Sequence, residues 1–500
     1  MNSERIRIQL EPLSVEAELL RGTSLASTLQ ELGVEFPCGG TGLCGSCRVR
    51  VLEGALPITA LDRSAFSADE LVSGWRLACQ AYAETPLVLQ CGQWRMDVLT
   101  DNSSLSGAGK RGLGIAIDLG TTTIAAQIIE MATGSVLGVD TDLNPQASFG
   151  SDVMSRICAA LQGADLTTVV RLALRQMIAK LASGREEEIV EVVLVGNTVM
   201  HHLFAGLDVE PLSCAPFDSP HLSAQYFRPR ELGWPLPPGC DIRFERCLGG
   251  FVGSDILAGI LAVGMTRSQD LLALVDLGTN GEIAVGNRDG VVCASTAAGP
   301  AFEAGSIRMG MRAATGAISH VSLFHGKTRA TVIGDVEARG ICGSGLVDAV
   351  ALGLKSGAIL ASGRITSPTK LFPVKAPIIL YQSDIRELQL AKAAIAFGFK
   401  LLLRRVGASA DSLKNIYLAG AFGNYVQADS AVAIGLIEAP IKRIRASGNT
   451  ALHGAKILLL SAGEPALPNI EHVSLAADPG FQDGFADCIA FPPMSPDRSA

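Results

Sequence analysis

The chain contains GIAIDLGTTTIAAQI at residues 114–128 and LALVDLGTNGEIAVG at residues 272–286. Each segment has an apolar run, then Asp-Leu-Gly-Thr, then a second apolar run, and this pattern predicts two strands joined by a tight turn. Backbone amides and hydroxyls in such a turn can hold phosphate oxygens, while an acid at the strand end can organise a hydrated Mg²⁺. Because the unit occurs twice, the sequence predicts a duplicated fold with its ligand in the cleft between the halves.

The two hairpins supply the acids Asp118 and Asp276, which we expect to act in catalysis by neutralising phosphate and metal charge. A single hairpin of this kind is a weak signal, since an ordinary tight turn has the same pattern. The nucleotide-binding residues expected from the two hairpins are Gly120, Thr121, Thr122, Thr123, Gly278, Thr279, Asn280 and Gly281.

A third element points to the same ligand. YLAGAFGNY at residues 417–425 is an apolar strand that runs into Gly420, Ala421 and Gly423, where small or missing side chains permit close approach of a flat nucleoside. Glu303 ends the segment GPAFE and is a candidate acid near the phosphates or the catalytic water, with a plain turn as the alternative reading of that segment. No G-x-x-x-x-G-K-[ST] motif occurs, which excludes a P-loop.

These three elements resemble the phosphate and adenosine motifs of the superfamily that unites acetate and sugar kinases, heat-shock ATPases and actin, the ASKHA superfamily. The resemblance covers residues 113 to about 490 and implies ATP and Mg²⁺ as ligands. The segment 343–348 resembles the second connecting helix of that superfamily, which implies nucleotide contacts from Gly343 and Ser344.

Four cysteines near the N-terminus have the spacing C-x5-C-x2-C followed by a fourth after 31 intervening residues: Cys38, Cys44, Cys47 and Cys79. Four converging thiolates, three of them from one glycine-containing loop, suit a two-iron cluster. The alternatives are a zinc site, although zinc ribbons usually pair two C-x2-C units, and four unrelated core cysteines. The other cysteines are scattered singly, and we expect them in cores: Cys91, Cys158, Cys214, Cys240, Cys247, Cys293, Cys342 and Cys488.

Residues 1 to about 92 resemble the [2Fe-2S] ferredoxin family, which has a β-grasp fold. By that resemblance, Cys38, Cys44, Cys47 and Cys79 are the cluster ligands. Gly, Ser, Asn and basic residues dominate 101–112, and a flexible linker is therefore predicted at 93–112.

The predicted architecture is a multidomain α/β protein, with the ferredoxin-type domain at 1–92 and an ATP-binding domain at 113–500. Strand-like runs alternate beyond the linker with long helical stretches, which favours buried sheets. Subdomains of the ATP-binding domain are expected at roughly 113–245 and 246–490. The helical stretches predicted there are 151–182, 251–263 and 385–406.

Composition excludes several other classes of protein. The net charge of −8 and the absence of a Lys/Arg-rich block argue against nucleic acid as a partner. The most apolar stretches are far shorter than the roughly 18 residues that a membrane span needs. The N-terminus lacks the apolar run of a secretory signal, and a cytoplasmic location is expected.

The order of the domains resembles that of the reductive activators of corrinoid proteins. This resemblance implies ATP-dependent electron transfer from the [2Fe-2S] cluster to Co(II) corrinoid, restoring the Co(I) state used in methyl transfer. It implies two partners, a corrinoid protein of a methyltransferase system and an upstream electron donor, and it leaves a homodimer open. The short connection after the ferredoxin-type domain indicates that the additional linker and middle domain of longer members are missing. Two alternatives remain, an activator of a radical-type dehydratase and a small-molecule kinase with a regulatory iron-sulfur domain.

Overall fold

The structure is a computed structural model that describes residues 5–11, 15–31, 47–91, 105–150, 152–278, 280–324, 327–461, 463 and 465–493. Among the predicted site residues, Cys38, Cys44 and Thr279 lie outside these ranges, as do residues 93–104 of the predicted linker.

The N-terminal domain is built on a five-stranded sheet in the order β2-β1-β7-β4-β5. The β1–β7 pair is parallel and the other pairs are antiparallel. This mixed sheet, with a short helix after its first hairpin, confirms the β-grasp prediction. The elements are β1 Arg5–Glu11, β2 Val15–Leu20, β3 Thr23–Ser24, α1 Leu25–Glu31, β4 Arg48–Glu53, α2 Ala60–Ala65, α3 Ala68–Val72, β5 Trp75–Leu77, β6 Tyr82–Ala83 and β7 Leu87–Cys91.

The next part of the chain forms the first half of the ATP-binding domain around a six-stranded sheet in the order β10-β9-β8-β11-β13-β12. Its central strands are continuous apolar runs because helices cover the sheet. The elements are β8 Leu113–Leu119, β9 Thr123–Glu130, β10 Val136–Leu143, α4 Val153–Leu161, α5 Leu166–Ala182, β11 Ile189–Gly196, α6 Thr198–Ala205, β12 Gln225–Phe227, α7 Pro229–Leu232, β13 Asp241–Phe244 and α8 Ser254–Ala262.

The second half contains another six-stranded sheet, in the order β23-β22-β14-β15-β16-β24. The elements are β14 Leu272–Leu277, β15 Gly281–Asn287, β16 Gly290–Thr296, β17 Ala317–Phe324, β18 Lys327–Val332, β19 Gly340–Ile341, α9 Gly343–Lys355, β20 Leu371–Lys375, β21 Ile378–Tyr381, α10 Gln382–Arg405, β22 Asn415–Ala419, α11 Gly420–Tyr425, α12 Ala428–Ala433, β23 Ile444–Ala446, α13 Thr450–Leu460, β24 Ile470–His472 and α14 Phe481–Asp487.

The two sheets repeat one topology. In each, a first strand (β8 or β14) pairs antiparallel with the next strand, which pairs antiparallel with a third. On its other side the first strand pairs parallel with a later strand (β11 or β22), and that strand pairs parallel with another. The duplication predicted from the Asp-Leu-Gly-Thr repeat is confirmed at the level of strand order.

Helices α8 and α13 connect the halves. Helix α8 follows the first sheet but packs with apolar residues of the second, whereas α13 follows the second sheet and packs on β8 and β11 of the first. The two helices also pack on each other. Each half therefore contributes one helix that packs on the other half.

This arrangement corrects the interpretation of the segment 343–348. Helix α9, which begins there, packs on β17 and α12 inside the second half instead of joining the two halves. The prediction of a connecting helix at this position is therefore wrong, and α13 has that role. A glycine-rich start does not identify which of α9 and α13 connects the two halves. Both helices are apolar along most of their length, so their sequences predict burial but not the partner on which each packs.

The linker prediction is wrong for residues 105–112. Leu105 and Ala108 pack against the apolar group around α13, and the Ala108 N–H donates to the Met131 carbonyl at 2.9 Å. Lys110 pairs with Glu191 at 2.9 Å. Residues 105–112 are therefore packed along the first half instead of forming a flexible connection.

The helical stretch predicted at 151–182 is two helices. Gly163 has a left-handed φ of 92°, and Asp165 accepts a hydrogen bond from Thr168 N–H to begin α5. The expectation of buried single cysteines holds for several of them but is wrong for Cys158 and Cys214, which are exposed. None of the helices in the described ranges combines the length and apolar character needed to cross a bilayer.

Candidate functional site

The acids of the two hairpins occupy equivalent places. Asp118 and Asp276 are each the second-last residue of the first strand of their sheets. Both turns are closed by a backbone hydrogen bond, from Gly120 N–H to the Thr123 carbonyl at 3.0 Å and from Gly278 N–H to the Asn280 carbonyl at 3.1 Å. The two predicted phosphate hairpins are therefore present as tight turns that carry an acid at their base.

Three asparagines that the sequence analysis missed hold the first hairpin in place. Asn144 Nδ2 donates to the Gly120 carbonyl at 2.9 Å, Asn197 Nδ2 to Thr121 Oγ1 at 2.8 Å, and Asn449 Nδ2 to Asp118 Oδ2 at 2.9 Å. Asn197 and Asn449 also cap α6 and α13 through their side-chain oxygens. In the sequence, the signal for such a residue is an asparagine just before an apolar helix. That signal predicts a helix cap, but it does not predict that the same side chain also bonds to the hairpin.

Two further acids join the hairpin acids. Glu282 pairs across the second hairpin with Asp276, and Asp255 lies in the first turn of α8. Burial raises the pKa of Asp118 to about 6 despite the Asn449 hydrogen bond. Burial and the neighbouring charge of Asp118 raise the pKa of Asp276 to about 7, while burial and Asp276 raise that of Asp255 to about 8. Burial also raises the pKa of Glu282 well above its usual value.

Buried carboxylates that lie close together repel one another. This repulsion and the loss of solvation both favour their protonated forms. A divalent cation would relieve that repulsion. Within the described ranges, no three Asp, Glu, His or Cys side chains are placed to hold a metal ion. Carboxylate oxygens are donors that Mg²⁺ takes from proteins, alongside water and phosphate oxygens.

The predicted nucleoside element meets the second hairpin. Gly420 begins α11 with a φ of 80°, and a Cβ there would lie 2.5 Å from Asp276 Oδ1. Glycine is thus required both by the backbone conformation and by the close approach. Gly423 packs on the backbone of Leu418, 3.0 Å from a hypothetical Cβ.

A cavity of about 100 Å³ lies between residues of the two halves. The first half contributes Thr122 and Thr123, and the second contributes three predicted residues, Glu303, Gly343 and Ser344. The other lining residues are Phe302, Arg312, Ala313, Cys342, Phe422 and Tyr425. The stacked rings of Phe302 and Phe422, 4.8 Å apart, form an apolar part of the wall.

Not every predicted nucleotide residue faces this cavity. Gly281 lies against α10, where a Cβ would be 1.8 Å from Ile395 Cδ1, so this glycine permits packing of the helix on the sheet. Asp118, Asp276 and Asn280 are outside the cavity lining, at or beside the hairpin turns. The predicted residues thus divide between the hairpin turns and the lining of the cavity.

The two described cysteines of the predicted cluster share one end of the N-terminal sheet. Cys47 immediately precedes β4 and Cys79 follows β5, and these strands are paired with Arg48 opposite Leu77. The Ala78 N–H donates to the Cys47 carbonyl at 2.9 Å. Cys47 is buried and Cys79 is partly exposed. Two thiol donors at one sheet end fit the [2Fe-2S] cluster expected there.

Comparison with known families covers nearly the whole chain. Residues 8–84 match the family described as "2Fe-2S iron-sulfur cluster binding domain". Residues 113–268 match "RACo middle region", and residues 270–499 match "C-terminal domain of RACo the ASKHA domain". The expectation that the middle domain is missing is therefore wrong, because the first half of the ATP-binding domain is that region.

Curated proteins and a solved structure give the same result. The chain is 37% identical over 414 residues to "Corrinoid activation enzyme RamQ" of Eubacterium limosum, covering 74% of this chain and 69% of that protein. It is 27% identical over 380 residues to "[Co(II) methylated amine-specific corrinoid protein] reductase" of Methanosarcina barkeri, covering 69% and 70% of the two chains.

The solved structure "Reductive activator for corrinoid,iron-sulfur protein" is 26% identical, has a TM-score of 0.66 and is matched over 98% of this chain and 99% of that one. The chain therefore belongs to the family of reductive activators of corrinoid proteins, in which a [2Fe-2S] ferredoxin-type domain is joined to an ASKHA domain.

Proposed function

We propose that this protein uses ATP to transfer an electron to the Co(II) corrinoid of a partner protein, which restores the Co(I) state needed for methyl transfer. The observation that carries the proposal is the presence, on one chain, of a paired set of acidic phosphate hairpins and a sheet end with Cys47 and Cys79. The relatives named for corrinoid activation and corrinoid reduction support it.

The hairpins position the nucleotide in this proposal. The amides of the turns and the hydroxyls of Thr121, Thr122 and Thr123 bind phosphate oxygens. Asp118 and Asp276 hold Mg²⁺ through water and phosphate, since metal ions neutralise the charge that develops in phosphoryl transfer. In this proposal the apolar wall formed by Phe302 and Phe422 accepts the base, and Glu303, which lines the same cavity, orients the attacking water.

The sheet end that carries Cys47 and Cys79, here called the cysteine end, transfers the electron in this proposal. Cys38, Cys44, Cys47 and Cys79 are the proposed ligands, and a bound [2Fe-2S] cluster supplies single-electron chemistry. An upstream donor protein returns an electron to this domain after each transfer. Electron transfer to Co(II) is uphill in this proposal, and each 1.4 kcal/mol of disfavour costs about a factor of ten at equilibrium. A nucleotide-driven change between two arrangements of the protein supplies the missing free energy.

The direct test mixes the purified protein with a reductant and a Co(II) corrinoid protein and follows the Co(I) absorbance. We expect the Co(I) band to appear with Mg-ATP and to be absent without nucleotide. Asp276→Asn should leave cobalt as Co(II) while its iron-sulfur spectrum stays normal. Cys44→Ser should bind ATP and reduce nothing. Equal reduction without nucleotide, or phosphate transfer from ATP to a small metabolite, would reject the proposal, and the second result would favour the kinase alternative.

A further inference from the structure

Residues 308–317, here called the docking segment, lie between the ferredoxin-type domain and the cleft. Met311, Ala314 and Ala317 are buried in the same packed group as the core of the ferredoxin-type domain, which includes Leu77 and Cys47. The two domains therefore do not have separate cores, in contrast to what a flexible linker predicts. This packing is an interdomain contact between parts of one chain.

The contact is made at the cysteine end of the ferredoxin-type domain. Arg48 directly follows Cys47, and its Nη1 donates to the Arg308 carbonyl at 3.1 Å. The guanidinium is fixed by Glu70 at 2.9 Å and by the Trp75 ring, whose centroid is 4.4 Å away. Because this side chain is held on its own domain, its hydrogen bond to Arg308 positions the cysteine end against the docking segment.

The same segment also forms part of the cleft. Arg312 and Ala313 line the cavity opposite Thr122 and Thr123 of the first phosphate hairpin. Cys342 lines the cavity as well and is buried in the group shared with the ferredoxin-type domain. Consecutive residues of one short segment thus contact the ferredoxin-type domain and the nucleotide cavity.

Arg312 lines the cavity beside Ala313. The phosphate oxygens of a bound nucleotide attract its guanidinium. Since packed interfaces switch between arrangements instead of stretching, a shift of Arg312 disturbs the packing of Met311 and Ala314.

We propose that Mg-ATP, acting through Arg312 as a positioning residue, releases the ferredoxin-type domain from the docking segment. The cysteine end, which faces the docking segment in this structure, then becomes accessible to the corrinoid protein. This inference rests on the proposed function and adds to it the route by which nucleotide controls electron transfer.

Hydrogen-deuterium exchange of the full, cluster-containing protein tests the release. Peptides covering residues 47–53 and 75–79 report on the ferredoxin-type side, which a nucleotide in the cleft does not cover. At saturating Mg²⁺ and non-hydrolysable ATP analogue, we expect their exchange to become about tenfold faster. Unchanged or slower exchange at saturation would overturn the proposal.

Two variants test the route. Arg312→Gln, at saturating analogue, should leave exchange of the ferredoxin-type peptides slow, and a wild-type response in this variant would remove Arg312 from the route. Ala314→Glu places a charge in the interface and should give fast exchange with or without nucleotide. Leu323→Glu, at a residue 62% exposed in the same half, is the matched control and should behave like the wild type.

Calorimetry with the same analogue separates the two proposals. If no nucleotide binds, the proposed function fails. If nucleotide binds and drives Co(II) reduction while the ferredoxin-type peptides stay protected, the proposed function stands and the release mechanism alone fails.

Discussion

The acids at the base of the hairpins make nucleotide binding dependent on pH. The pKa values of Asp118, Asp276 and Asp255 are raised to about 6, 7 and 8, so these groups lose their protons in turn between about pH 6 and pH 8, and a metal ion must displace the protons that remain. We expect the affinity for Mg-ATP to increase from pH 6 to pH 8, by up to about tenfold per unit for each proton released. Calorimetry in two buffers of different ionisation enthalpy counts those protons.

Asp255→Asn is the matched variant for this measurement, because it removes the acid whose pKa is raised to about 8 and leaves both hairpins intact. At pH 7 it should release about one proton fewer than the wild type on binding. Identical proton release by the two proteins would show that Asp255 does not titrate with the site.

The same acids affect stability in the opposite sense. Their pKa values are about 3.8 before burial and higher in the folded protein, so the folded state binds more protons between these limits. Without Mg-ATP, their contribution to the free energy of unfolding decreases as pH rises from about 4 to 8. Urea titrations at several pH values, with and without Mg-ATP, measure this trend.

At the scale of elements, the crossing of α8 and α13 decides how the halves are joined. A Cβ at Gly454 of α13 would lie 2.0 Å from the Ala258 carbonyl oxygen of α8. Alanine normally favours a helix by about 1 kcal/mol over glycine, yet here it would push two backbones apart. We expect Gly454→Ala to lower the free energy of unfolding by about 1–3 kcal/mol, as measured by urea unfolding.

Gly239→Ala is the control for this change. Nothing lies within 4 Å of a Cβ at Gly239, and its φ is outside the left-handed region. Its free energy of unfolding should stay within about 0.5 kcal/mol of the wild-type value. If Gly454→Ala is equally mild, the two helices can separate without cost and do not determine the geometry of the cleft.

For the whole molecule, the cluster and nucleotide sites should be separable as binding sites even though their domains touch. Cys79→Ser should lose the visible iron-sulfur absorbance and the bound iron. It should still bind Mg-ATP, because every residue that lines the nucleotide cavity lies outside the ferredoxin-type domain. Cys158→Ser, at an exposed cysteine of α4, is the matched control and should keep both properties. A normal cluster in Cys79→Ser would reject that ligand assignment.

Local chemistry made much of this protein predictable from sequence. The Asp-Leu-Gly-Thr repeat predicted a duplicated domain because strand alternation and a tight turn are local properties of the chain. The cysteine spacing predicted the ferredoxin-type domain for the same reason. The expected residues Thr122, Thr123, Glu303, Gly343 and Ser344 come together at one cavity.

Contacts between distant segments were decided by the tertiary structure. Asn449 reaches Asp118 across 331 positions of sequence, and α13, instead of α9, packs across to the first half. Residues 105–112 are held in place by contacts with Met131 and Glu191, and the composition of this segment does not predict those contacts. Sequence by itself determined which turns, thiols and acids are present, because these depend on neighbouring residues. Tertiary structure alone decided which of them share an environment, because burial, raised pKa values and domain docking arise only when separate segments exclude water together.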